Sequence, residues 1–439
     1  MRETNSLLSS LPLRLRADLV VVGGGPAGLC AAVAAAQEGA EVLLLERYGF
    51  LGGMATAGLI NPFMAFQTVD PAHPGQFLPV NAGLLAEIIS RLQAAGGWAT
   101  GAGHWRENAF DPEIMKQVAL DLAAEAGVRL RLHTQLVAVQ AAGGQVQRLA
   151  VGSKSGLEAV EGRLYVDATG DADLAAWAGA EFEQGRPEDG QCQPMTLCFR
   201  MAGVDEDLMP EREAISKLYH AAQARGEIAN PRENVLWFYT TRRGEIHFNT
   251  TRIVGRQGTD AEDLTAAEIE ARRQVAQMVA FLRREVPGFA GSYLAATAAQ
   301  IGVRESRRVL GDYVLSGAEV LAAQDFADGI ARGCYPVDIH NPAGTGTVIK
   351  PLVPGTSYAI PYRCLTPRGW NNLLVAGRPI SCDHAAHSSL RVMPIAMSVG
   401  EAAGCAAAQA LATGGTTREV DVPQLRRRLR ERGAVVDAP

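Results

Sequence analysis

The run Asp18-Leu-Val-Val-Val-Gly23-Gly-Gly25-Pro-Ala-Gly28 constrains this chain more than any other feature. It reads as a buried strand, a glycine turn and the start of an alanine-rich helix. Ala40-Glu-Val-Leu-Leu-Leu45 follows as a second buried strand and ends on Glu46. This is a βαβ unit, and each small residue in its turn has a task. Gly23 permits the tight turn, Gly25 lets a pyrophosphate approach the backbone, and Gly28 lets the helix pack close to the sheet. With Pro26 and Ala27 these residues form the helix N-terminus, whose free N–H groups and positive dipole end receive phosphate. Glu46 stands near the spacing at which an acidic side chain takes ribose hydroxyls. The motif by itself does not separate FAD from NAD(P).

With 439 residues, 47% of them hydrophobic and 20% charged, the chain can bury a large core. Its length suggests two connected domains. A net charge of −6 argues against a nucleic-acid partner. The seven cysteines form no C-x-x-C pair, so no dithiol centre, iron–sulfur cluster or zinc site is expected. Scattered thiols fit a reducing cytoplasm, and no membrane span is expected.

Residues 1–16 read as an N-terminal arm. A nucleotide-binding domain is expected from 17–60, 104–185 and 355–415, and a substrate cap from 61–103 and 186–354. The remainder, 416–439, is a basic helix and tail. Helices are expected around Gly83–Ala95, after Asp111 as N-cap with Pro112 behind it, and over Thr265–Glu285, Asp312–Leu321 and Pro394–Ala412. Gln135–Val151 and Leu157–Val166 read as a β-meander, and Met195–Met201, Val235–Thr240 and Glu245–Asn249 as cap strands. The fold class is α/β: a Rossmann-like parallel sheet with a β-meander and an inserted α+β cap.

Three further stretches join the first: Leu51-Gly-Gly-Met-Ala-Thr56, Asp167-Ala-Thr-Gly-Asp171 and Asn372-Leu-Leu-Val-Ala-Gly377 with its following helix. Ile301-Gly-Val-Arg304-Glu-Ser-Arg307-Arg308 and Ser381-Cys-Asp383-His384-x-x-His387-Ser-x-x-Arg391 add to the pattern. Together they resemble the FAD-dependent oxidoreductases of the glutathione-reductase-like superfamily, related to fumarate reductase flavoproteins. The resemblance covers about Ala17 to Ala412 and implies FAD as cofactor. It implies that Gly23, Gly25 and Gly28 cradle the pyrophosphate, Glu46 the ribose and Arg47 the adenine edge. Gly52, Gly53, Met54 and Thr56 would line the ribityl chain and flavin, and the Leu136 backbone would pair with adenine. Ala168, Thr169 and Gly170 would close over the pyrophosphate, and Gly377 would lead toward the ribityl side. The helix opening at Met393-Pro394 would aim its positive end at the flavin N1–C2=O edge. Phe50-Leu51 stands where fumarate reductase flavoproteins carry their attachment histidine, so noncovalent FAD is expected.

A second G-x-G-x-x-G, a halogenase Trp-x-Trp-x-Ile-Pro and an aromatic-hydroxylase Asp-Gly are all absent. The resulting expectation is hydride transfer between flavin N5 and a small or medium organic substrate, with oxygen or a carrier protein as electron acceptor. His384 is the expected base, Arg391 would hold a carboxylate or an enolate-like oxygen, and Arg304 would face substrate or flavin. Arg308 is expected to be structural. Against these roles stand capping or packing for His384 and His387, and a salt-bridged surface for 304–308. His247, sharing a strand face with Glu245 and Asn249, is a second-rank candidate or solvent-facing; His340 is another. Two alternatives remain: a flavin monooxygenase, and a flavin electron-transfer subunit of a heterodisulfide-reductase-like complex.

Overall fold

In the computed structural model, which describes residues 10–99 and 107–439, β1 (Leu13–Val22) begins half-exposed and ends buried. The expected arm over residues 1–9 and the expected boundary at 103/104 lie outside the described residues. The arm does not extend to Arg16: Leu13 already pairs with Ala159, because the apolar–polar alternation of Leu13–Arg16 continues the strand outward. From β1 the chain passes through α1 (Pro26–Gln37) to β2 (Val42–Leu45), which pairs in parallel with β1.

Two helices follow: α2 (Leu84–Ala94) and α3 (Pro112–Glu125). Asp111 caps α3, its side chain accepting from the Glu113 amide at 2.9 Å. The strands β3 (Arg129–Arg131), β4 (Gln135–Ala142), β5 (Gln145–Ser153) and β6 (Gly156–Asp167) come next. The sheet order is β3-β2-β1-β6-β5-β4, so the meander closes one side of a parallel core.

The cap contains a second, antiparallel sheet. Its strands are β7 (Phe199–Ala202), β8 (Trp237–Tyr239) and β9 (Glu245–Phe248); after α4 (Ala261–Glu285) comes β10 (Tyr293–Thr297). In space the order is β8-β9-β7-β10. Alternation puts Phe199, Met201, Ile246 and Phe248 on one face, where they form a core with Ala271, Val275 and Met278 of α4. The opposite face carries Arg200, Glu245 and His247. A hairpin of β11 (Val337–His340) and β12 (Thr347–Lys350) precedes β13 (Leu373–Val375), which returns to the main sheet beside β6. The chain ends in α5 (His384–Leu390), α6 (Met393–Thr413) and α7 (Val422–Glu431).

The two cores redraw the expected boundaries. Phe63, Phe66 and the buried side of α2 belong to the main core, as do Val309, Leu315, Val320, Ile330 and Val337. The second core draws on Leu59 and residues between Met195 and Val303. The described residues 61–99 and the segment 310–354 thus pack largely with the main sheet; the amphipathic side of α2 finds its apolar partner there. Two element boundaries also moved: the first cap strand starts at Phe199, and only Gly317–Leu321 of the expected Asp312–Leu321 helix is helical, behind a Ser316 capping box.

α1 and α6 lie against each other. A Cβ added at Gly400 or Gly404 would sit 2.1 Å and 2.2 Å from the carbonyl oxygens of Ala27 and Ala31. Two glycines four apart therefore meet two alanines four apart, which brings the backbones together. α6 is long and apolar enough to cross a bilayer, yet 83% of its most apolar window is buried inside the protein.

Candidate functional site

The first glycine turn is shaped as the sequence requires. Gly23 has φ +102, and a Cβ there would lie 2.4 Å from the Ala168 carbonyl oxygen. A Cβ on Gly28 would collide with the Gly23 carbonyl at 1.8 Å. At Gly25, by contrast, a Cβ would meet only the Gly53 Cα, at 3.8 Å. Gly25 is the N-cap of α1 and Pro26 opens it, with no side chain capping the end. Its leading N–H groups are therefore open to an anion.

Glu46 is 5% exposed. Its Oε2 accepts from the Gly24 amide at 2.7 Å and its Oε1 from the Tyr48 amide at 2.9 Å. Burial pushes this carboxyl up, against the pull of those two amides. The Thr134 amide bonds the Glu46 carbonyl at 2.9 Å, so β4 starts beside it. Leu136 lies on β4, the edge strand of the sheet, where half of the backbone groups have no ladder partner. Arg47 is exposed and hydrogen-bonds Gln300 at 2.5 Å, its guanidinium over the Tyr48 ring.

The second glycine segment docks on the first. The Gly52 amide bonds the Gly24 carbonyl at 2.9 Å, and Thr56 Oγ1 closes the loop on the Leu51 carbonyl at 2.8 Å. Gly53 faces Gly25, and Met54 is partly exposed beside it. Asp167 organises the turn after β6. Its carboxylate takes the Thr169 amide and hydroxyl at 3.0 and 2.7 Å and the Ala175 amide at 2.8 Å. Ala168, Thr169 and Gly170 are thereby held against Gly23. Gly377 abuts Ala27 at the mouth of α1. Met393 and Pro394 open α6, which likewise has no side-chain cap.

These features meet the physical needs of FAD. They offer an open glycine cradle, an uncapped helix end, a buried carboxylate at the end of β2 and a second uncapped end on α6, the helix packed against α1.

The cap meets this seam directly. The Ala299 amide bonds the Ala57 carbonyl at 2.9 Å, and Gly302 lies against Ile60. Arg378, which sequence reasoning passed over, joins three segments. Its Nε donates to the Gly170 carbonyl at 2.7 Å, Nη2 reaches Asp171 at 2.5 Å, and Nη1 bonds the Val303 carbonyl. Its place directly after Gly377 was the available signal.

The stretch at 384–391 is a short helix rather than a turn. Asp383 caps it through the Ala386 amide at 2.7 Å and also receives the Gly317 amide at 3.0 Å. His384 Nδ1 is 2.8 Å from Glu305 Oε1, which also accepts from Arg308 at 2.6 Å. Burial opposes ionisation of Glu305, but the hydrogen bond from His384 and that from the Gln193 backbone N–H favour the carboxylate, and the carboxyl falls to about 2. Nδ1 of His384 is therefore the donor and Nε2 the basic nitrogen. Arg308 is spent on structure, with further bonds to the carbonyls of Cys382 and Gly185. His387 is fully buried, both ring nitrogens are without a partner among the described residues, and burial holds it well below its ordinary value.

Arg391 ends α5 and reaches Asp338 Oδ2 at 3.3 Å. Asp338 also accepts from the Tyr335 hydroxyl at 2.9 Å and lies 3.5 Å from His340 Nε2. Arg304 donates to the Pro194 carbonyl and to Thr196 Oγ1, the latter at 3.2 Å. His247 is not solvent-facing: it is 0% exposed, because its sheet face is covered, and burial and Arg200 lower it to about 3. A group that resists protonation so strongly is a poor base near neutrality.

A model of the family described as FAD dependent oxidoreductase matches residues 18–429. The chain belongs to the FAD-dependent oxidoreductases. Two curated relatives match parts of it. One is a thiamine thiazole synthase of Aeropyrum pernix, 56% identical over 45 residues, covering 10% of this chain and 17% of that protein. The other is a digeranylgeranylglycerophospholipid reductase of Methanocella arvoryzae, 30% identical over 174 residues, covering 37% of this chain and 41% of that one. The matched stretches thus span less than half of either relative. Among solved structures, a geranylgeranyl bacteriochlorophyll reductase-like protein of Thermoplasma acidophilum is 15% identical over 95% of this chain and 83% of its own, with a TM-score of 0.47. The flavin-dependent brominase Bmp2 is likewise 15% identical over 95% and 84%, with a TM-score of 0.48. This FAD-dependent oxidoreductase is accordingly an enzyme that uses FAD.

Proposed function

We propose that the enzyme moves a hydride between a small or medium organic substrate and its flavin, with FAD held noncovalently. One observation supports this most: the segment bearing Arg304 and Glu305 and the helix bearing His384 and Arg391 converge on the seam of glycine loops and uncapped helix ends. FAD supplies the ring that accepts or returns the hydride when bound. Gly23, Gly25, Pro26, Ala27 and Gly28 would receive its pyrophosphate, Glu46 its ribose and the Leu136 backbone its adenine. Gly52, Gly53, Met54, Thr56 and Gly377 would lie along the ribityl chain, with Ala168 to Gly170 closing over the phosphates. The N-terminus of α6, at Met393 and Pro394, would stabilise negative charge on the ring.

His384 then takes or returns the substrate proton at Nε2, while the Glu305 carboxylate fixes its tautomer. Arg391 and Arg304 orient the substrate. Electrons leave to oxygen or a carrier. All seven cysteines are free thiols, in keeping with the cytoplasmic location we propose.

Anaerobic bleaching of the flavin against a panel of organic metabolites tests the reading. His384→Ala should retain FAD and slow flavin reduction by roughly 10²–10⁴-fold, the range for a lost general base. Reduction at the parent rate would remove His384 from the chemistry.

A further inference from the structure

The cap side of the seam holds more buried and half-buried positive charge than the described residues neutralise. Arg232, Arg252, Arg304 and Arg391 surround Asp338 and His340, close enough that each of the other three lowers the proton affinity of Arg304. Arg252 is 1% exposed and Arg232 4%. Arg252 donates to His340 Nδ1 at 2.9 Å and to the carbonyls of Gly344 and Gly346 at 2.9 and 3.1 Å. That bond makes Nδ1 an acceptor, so the His340 proton sits on Nε2, toward Asp338, and the ring is neutral. The carboxylates are Asp338 and Glu233. Glu233 lies 3.2 Å from Arg252 and also accepts from Thr347 at 2.7 Å. Four guanidinium groups against two carboxylates leave an excess of two positive charges.

The donors are as unbalanced as the charges. Among the described residues, buried Arg232 Nη1, Arg252 Nε, Arg391 Nε and Gln193 Nε2 have no hydrogen-bond partner. The Arg391–Asp338 contacts are long, at 3.3 and 3.4 Å, and Arg232 Nε reaches Asn234 only at 3.4 Å. Gln193 ties this cluster to the base: its backbone N–H donates to Glu305 at 2.9 Å and its Oε1 accepts from the His340 backbone N–H at 3.2 Å. Buried like charges with unmade hydrogen bonds are costly unless an anion completes them. Guanidinium forks match planar and tetrahedral oxyanions alike.

We infer that the substrate is an acid: its carboxylate or phosphate seats among Arg304, Arg391 and Arg232, with Gln193 as a neutral donor. Arg252 is the outer wall of this seat, held in place by the Gly344 and Gly346 carbonyls. The inference rests on the oxidoreductase reading of the same site, and it names the substrate class.

Binding can be read without turnover, which separates this inference from that reading. Holoenzyme in chloride buffer is titrated with benzoate, with benzamide as its neutral counterpart, and with inorganic phosphate. Benzoate or phosphate should perturb the bound flavin spectrum and raise the melting temperature; benzamide should do neither. Whichever of the two binds more tightly identifies the head group. Arg304→Met and Arg391→Met should keep FAD and weaken anion binding roughly 10- to 100-fold. Neither variant should melt lower in chloride, since each relieves like-charge repulsion. Should either fail to accumulate, Arg232→Met is read in the same way. Equal binding of benzamide, or anion binding unchanged in the variants, overturns the inference. Loss of FAD in place of anion affinity also overturns it, and assigns the cluster to the cofactor phosphates.

Discussion

At the scale of the residue, Glu305 is the most consequential group to which the sequence assigned no role. It is buried without exposure and holds His384, Arg308 and the Gln193 amide together. Its carboxyl lies at about 2 in the folded protein, below its ordinary value of 4.5. A carboxyl depressed in the fold contributes stability that is present above its unfolded value and lost as pH falls through its folded one. The difference corresponds to about 3 kcal/mol at neutral pH. Urea midpoints should therefore fall between about pH 4.5 and 2 in the parent, beyond the decline of Glu305→Gln over the same range. Parallel pH profiles would show that the pair contributes nothing. Sequence placed Arg304, Glu305 and Arg308 in one short run and gave Arg308 a structural part, but it left Glu305 without a role of its own. That role depends on His384, which arrives from far along the chain.

The glycine residues of the first βαβ unit were legible because each answers a local demand of turn or close approach. At the scale of the element, Gly400 and Gly404 were not, since a glycine inside a helix acquires meaning only from what crosses it. Ala27 and Ala31 cross it here. Gly400→Val should push α6 from α1 by overpacking, typically 1–3 kcal/mol. It should also release FAD, because the ends of both helices move. A variant that melts at the parent temperature with full flavin content would remove this contact from the design of the site. The long helices and the meander were read nearly in register from periodicity and caps. Short cap strands were read less well. Their boundaries depend on pairing with strands dozens of residues away, and His247 was buried by that pairing rather than by its own neighbours.

For the molecule as a whole, two hydrophobic cores meet over the glycine loops, and Arg378 fastens them at Gly170, Asp171 and Val303. Arg378→Lys keeps the charge but cannot span three acceptors in one plane. Weaker FAD retention is expected, together with separation of one unfolding transition into two, followed by flavin fluorescence and by circular dichroism. A single unchanged transition would mean that apolar contact alone couples the cores. Domain boundaries were the least legible part of the sequence. The apolar faces of the described residues 61–99 and of 310–354, met only in the packed structure, assign them to the main sheet.

The pairing of α1 with α6 also sets an order of events during synthesis. α1 is buried from Ala27 to Ala35, and much of its cover is α6, which leaves the ribosome more than 350 residues later. β13 joins β6 equally late. The cap can close on α4 while the nucleotide-binding half still waits, an apolar helix and an open sheet margin exposed. The half made first is thus completed last, and until α6 arrives its oldest helix lacks an apolar cover.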